Sequence, residues 1–92
     1  MLFNRLHKLN MRILFAEDDN LLRSSLAFYL SNNGFIVTQA SDGLQVKDHL
    51  KNALFDLIIT DLNMPFFGGM EVIDFVRNEL KSASPIIVLL IV

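Results

Sequence analysis

The chain has 92 residues, of which 52% are apolar, and a formal charge of −2 at pH 7. That length bounds it to one domain, and that apolar fraction supplies a core and argues against disorder. With no cysteine it has no disulfides or thiolate metal sites, and with no excess positive charge it lacks the footprint of a nucleic-acid binder.

Residues 1–10 stand apart from the core pattern. Leu2, Leu6 and Leu9 have helical spacing, but an unstructured leader before Met11 is the favoured reading. Arg5 and Lys8 precede an apolar run that Glu17 cuts short, which does not fit a signal peptide. No apolar stretch approaches the roughly 18 residues that a membrane helix needs.

Ile13 to Ala16 is apolar without alternation, as strands of a parallel sheet buried on both faces are. Asp19 or Asn20 caps a first helix, whose stripe is read as Leu22, Leu26, Tyr29 and Leu30; Asn33-Gly34 stops it. Phe35 to Ala40 is a second strand. Ser41 or Asp42 starts a second helix with Val46, Leu50 and either Ala53 or Leu54 inward. Leu57 to Thr60 is a third strand, and Asn63 to Gly69 is a loop shaped by Pro65 and two glycines. Glu71 to Leu80 is a third helix with Val72, Ile73, Val76 and Leu80 inward, and Ile86 to Leu90 is a fourth strand. Strands alternating with helices predict an α/β fold with a parallel sheet.

Two strands end in carboxylates: Glu17-Asp18-Asp19 after the first and Asp61 after the third. In an open parallel sheet that edge is where ligands bind. Clustered carboxylates repel unless protons or a cation intervene, so the pattern implies an acidic metal site. Asp19 is read mainly as a helix cap. Thr60 precedes Asp61 on its strand and is expected to face the other way. His49 is read as a surface histidine and His7 as part of the leader. Phe66-Phe67 is read either as a binding patch or as cover for the core.

Glu17-Asp18-Asp19, then Asp61-Leu62-Asn63-Met64-Pro65, then Gly68-Gly69 together resemble the receiver domain of two-component response regulators. The resemblance runs from about Met11 to about Leu90. It implies a flavodoxin-like three-layer α/β/α fold with strand order 2-1-3-4 for the strands present. Such a domain has five strands and five helices. Residues 11–92 supply four strands and three helices, so they are read as a receiver lacking its last α-β-α elements.

The resemblance also implies the chemistry. Asp61 is the phosphoacceptor, and Mg2+ is held by Asp18, Asp61 and the carbonyl of Asn63, with Glu17 at the position that holds a metal-bound water. The phosphoryl donor is a histidine kinase or phosphotransfer protein, and the setting is the cytoplasm. Two further residues of such domains read the phosphoryl group: a hydroxyl at the end of strand 4, which falls on Leu90, and a lysine on strand 5, for which there is no counterpart. The chain is thus read as a phosphoacceptor rather than a turnover enzyme. The alternative is a truncated receiver acting as an interaction module without phosphorylation. A haloacid-dehalogenase-like phosphohydrolase is set aside because Asn63 stands where that family needs a second aspartate. Neither membrane nor nucleic-acid binding is expected. The uncharged run Ile86 to Val92 leads to the expectation of a homodimer through the edge of strand 4.

Overall fold

The structure is a computed structural model that describes residues 11–90. The candidate leader and His7 lie outside the described residues. Four parallel strands form the sheet: β1 (Arg12–Ala16), β2 (Ile36–Ala40), β3 (Leu57–Asp61) and β4 (Ile86–Leu89), in the order β2-β1-β3-β4. The predicted parallel sheet and strand order are both observed. Ile13 aligns with Val37 on one side and with Leu57 on the other, and Ile58 aligns with Ile86. Central position explains the unbroken apolar run of β1, since Ile13 to Ala16 are all buried.

Side chains alternate between two layers. Leu14, Ala16 and Ile58 join Val46, Val72 and Val76 in one core. Ile13 and Phe15 join Ala27 in the other. The first core is covered by α2 (Gly43–Asn52) and α3 (Gly69–Asp74), the second by α1 (Asn20–Asn32).

Both long helices start where their caps predict. Asp19 accepts from the N–H of Leu22 at 3.0 Å, and Asp42 from that of Gln45 at 2.9 Å. Helix α1 ends in a Schellman closure, with Gly34 at φ 94°: the Gly34 N–H donates to Ser31 and the Phe35 N–H to Leu30.

The inner face of α1 differs from expectation. Leu26 and Tyr29 are exposed, Leu22 and Leu30 are half-buried, and the residue that seats the helix is Ala27. The helix thus meets Ile13 and Phe15 through a small side chain, with larger residues on its outer faces. Just past α2, Ala53 packs inward and Leu54 points to solvent. Phe55, between elements, fills the core instead. The third helix begins earlier than expected, at Gly69, and Phe75–Glu79 continues it as a π-helical turn that leaves Leu80 exposed. Strand β4 stops at Leu89, one residue short of the expected end.

One close approach ties the fold to the loop that follows β3. A Cβ at Gly43 would lie 1.9 Å from Phe67 Cβ and 2.5 Å from the Phe67 carbonyl oxygen. Glycine at the start of α2 therefore lets the loop dock against the helix. Gly43→Ala forces two backbones apart and is expected to cost about 1–3 kcal/mol. In urea unfolding the midpoint should drop with its slope unchanged; an unchanged midpoint would show that the loop is free to move away.

Candidate metal and phosphoacceptor site

The acidic residues come together at the C-terminal edge of the sheet. Strand β1 runs straight into Glu17, whose N–H donates to the Ala40 carbonyl of neighbouring β2 at 3.0 Å. Strand β3 ends on Asp61, and the next N–H, of Leu62, donates to the Leu89 carbonyl of β4 at 2.8 Å. Both strand ends are thus fixed by sheet hydrogen bonds beyond the last paired residues. One carboxylate oxygen each from Glu17, Asp18 and Asp61 fall within 4.8 Å of one another. Glu17 and Asp61 are buried, while Asp18 faces solvent.

Glu17 is the most constrained of the three. Its Oε2 accepts from the Asp19 N–H at 2.9 Å. Its Oε1 is buried without a hydrogen-bond partner. Desolvation pushes its carboxyl from an ordinary 4.5 up to about 7; the Asp19 N–H opposes this, and Asp18 and the charge of Asp61 add to it. Asp61 is oriented by the Asn63 N–H, which donates to Oδ1 at 3.1 Å. Asn63 therefore lies beside Asp61, with its own side chain exposed.

A buried carboxylate oxygen with no partner is costly unless something positive meets it. Three converging oxygens suit a hard, oxygen-seeking cation such as Mg2+, which keeps some of its waters. The donor set contains no soft ligand. The residues present fit such an ion, and the buried Glu17 Oε1 has no hydrogen-bond partner that would compete for it.

Other candidates sort cleanly. Asp19 serves as the α1 cap, as expected. Thr60 is fully buried on the core face shared with Ile58, and its hydroxyl donates to the Asp61 carbonyl at 3.1 Å. His49 is half-buried on α2, outside the acidic cluster. The adjacent phenylalanines split. Phe67 turns inward and meets Phe75 edge to face at 6.0 Å, with Lys47 Nζ 5.1 Å from one ring and 5.3 Å from the other. Phe66 is 85% exposed, at φ 70°. Gly68 allows the loop to return: a Cβ there would meet the Leu62 carbonyl oxygen at 2.6 Å. The returning loop walls an open groove of about 560 Å3 running from Leu62 to Gly68 and Glu71.

Sequence reasoning missed Arg23. Its Nη1 donates to the Glu17 carbonyl at 2.8 Å and its Nη2 to Asn20 Oδ1 at 2.8 Å. It braces the turn that carries the acids. Its place one turn into α1, six residues after Glu17, was the available signal.

Residues 13–90 match the model of the response regulator receiver domain. The chain belongs to that family. It is 34% identical over 79 residues to response regulator RR06 of Streptococcus pneumoniae, covering 86% of this chain and 36% of that protein. It superposes on the Francisella response regulator 1452 receiver domain with a TM-score of 0.83 and 26% identity, covering 88% of this chain and 66% of that one. For TrrA of Thermotoga maritima, solved in complex with Mg2+ and BeF, the TM-score is 0.78 at 30% identity, covering 87% of this chain and 69% of that one. The chain spans about a third or less of the length of the curated relatives it matches most strongly.

The raised Glu17 pKa sets the pH response. Without a cation the fold favours the protonated form, so the metal-free chain loses stability as pH rises from 4.5 through about 7. Mg2+ must displace that proton, so apparent affinity should climb by roughly tenfold per pH unit below 7 and level off above it. Calorimetric titrations across pH check this. Glu17→Gln should flatten both dependences, and Asp18→Asn or Asp61→Asn should weaken binding by at least tenfold. Parent-like binding in both aspartate variants would refute the assignment.

Proposed function

We propose that Asp61 accepts a phosphoryl group from a histidine kinase or phosphotransfer protein in a two-component pathway, with Mg2+ held by Asp18 and Asp61 directly, by the carbonyl of Asn63, and by Glu17 through water. The observation that carries this reading is the convergence of three carboxylate oxygens on the end of β3, where Asp61 is fixed by the Asn63 N–H. Family membership supports it over a phosphorylation-independent interaction module.

In the proposed step an Asp61 carboxylate oxygen attacks phosphorus. The O–P bond forms as the P–N bond to the donor imidazole breaks, and the electron pair passes to that nitrogen. Bound Mg2+ would neutralise charge on the phosphoryl oxygens and on the nucleophile. Asp61 is rigid because its strand end, its Oδ1 and its carbonyl are all engaged. Asp18 is exposed at the mouth, so the donor reaches the site from the solvent side of the sheet edge. The chain is then a substrate with self-assisted chemistry rather than a turnover enzyme. Among the described residues no helix is long and apolar enough to cross a membrane, and a cytoplasmic setting is part of this reading.

The response to phosphate is expected to be weak, because an exposed leucine, Leu90, stands where the hydroxyl of a responsive receiver is expected. Incubation with acetyl phosphate and Mg2+, borohydride trapping and peptide mapping should place the adduct on Asp61 alone. Asp61→Asn should abolish it. An adduct elsewhere would sink the assignment. A large change in amide shifts on phosphorylation would sink the weak switch.

We further propose that the 92-residue chain self-associates along β4, an outer strand of the described sheet, where Ile87 and the following Leu90 are exposed. Light scattering on dilute samples should give a dimer or a concentration-dependent mass. A monomer with a concentration-independent melt would contradict this.

A further inference from the structure

At the other end of the sheet, where β3 and β4 begin, lies a half-open cavity of about 150 Å3. Its walls include Leu50, Phe55, Ile58, Val76 and Leu80, and one side carries Ser82 and Ser84. Nothing in the phosphoacceptor reading uses it. Apolar cavities of about this volume take up a single benzene ring.

The polar side is built by unusual backbone. The π turn widens the end of the third helix, with the Leu80 N–H donating to the Phe75 carbonyl at 3.0 Å. Such turns occur frequently at functional sites. Lys81 then adopts φ 56° and reverses the chain. The Ser82 N–H returns to the Val76 carbonyl at 2.9 Å, and Arg77 Nη1 clamps the Ser82 carbonyl at 2.9 Å. The result is two hydroxyls held against an otherwise apolar wall.

Their hydrogen bonds determine what they can still do. Ser84 Oγ donates to the Phe55 carbonyl at 3.0 Å. Its proton is therefore committed, so in the 3.0 Å contact between the two hydroxyls Ser82 is the donor. The Ser84 N–H occupies one acceptor position of Ser82 Oγ at 3.2 Å. Both protons are used, and each oxygen keeps one free acceptor position. The two serines that line the cavity can each accept a further hydrogen bond but have no hydroxyl proton to give.

We propose that this cavity binds a single-ring aromatic molecule carrying one hydrogen-bond donor, of the phenol or aniline class. The ring fills the apolar part, and its O–H or N–H reaches Ser82 or Ser84. An acceptor-only analogue puts its lone pairs against oxygens that cannot donate.

The test uses the whole chain with 4-fluorophenol and 4-fluoroanisole, followed by fluorine NMR and by amide and methyl shifts. 4-Fluorophenol should bind in the millimolar range, with the largest shifts at Ile58, Val76 and Leu80. 4-Fluoroanisole should bind about fivefold more weakly, the worth of one ordinary hydrogen bond. Ser82→Ala/Ser84→Ala should bring the two ligands to within about twofold. Should that variant fail to fold, the comparison on the unaltered chain decides alone. Equal affinities there, shifts confined to other regions, or no 4-fluorophenol binding at about 10 mM would overturn the proposal.

Discussion

The burial of carboxylates beside one another governs this molecule. Two adjacent parallel strands end side by side, and each delivers acid to the same few ångströms. Loss of water is the largest cost to the Glu17 charge, and Asp18 and Asp61 beside it add to that cost. The fold relieves only part of it: one Glu17 oxygen meets the Asp19 N–H, and Asp61 meets the Asn63 N–H. The remaining Glu17 oxygen is left without a partner. A proton satisfies it in part, and a divalent cation would satisfy it more fully. The site is therefore preorganised for positive charge.

The rest of the structure holds those acids still. Strand β1 is buried on both faces, so Glu17 cannot follow a preference for water. The helix cap at Asp19 and the Arg23 brace fix the turn after β1. The loop after β3 is anchored by Phe67, which enters the core because Gly43 has no side chain to oppose it. Core packing and site geometry are thus linked through one glycine and one phenylalanine.

Much of this could be read from the chain alone. Ile13 to Ala16 and Leu57 to Ile59 are apolar runs that lead into acids, and both became central strands with the site at their ends. Caps were readable because Asp19 and Asp42 act through local geometry. The inner face of α1 was not, because leucines and aromatics lie around much of that helix and the deciding contact is the small Ala27. Phe55 belongs to no periodic segment, so its burial is purely tertiary. The π turn at Phe75–Glu79 has no compositional signal. The Glu17 pKa is set first by burial, with Asp19, Asp18 and Asp61 as smaller influences, and that burial is a tertiary outcome that no local pattern encodes. Phe66 and Phe67 looked alike in sequence, and backbone dihedrals separated them.

The central claim is that Asp61, the neighbouring acids and a divalent cation form one site for a phosphoryl group. Fluorine NMR of beryllofluoride, a phosphoryl mimic, tests it directly. A slowly exchanging bound resonance should appear with the parent chain only when Mg2+ is present, and should vanish in Asp61→Asn. A bound resonance without Mg2+, or one that persists in Asp61→Asn, would contradict the account.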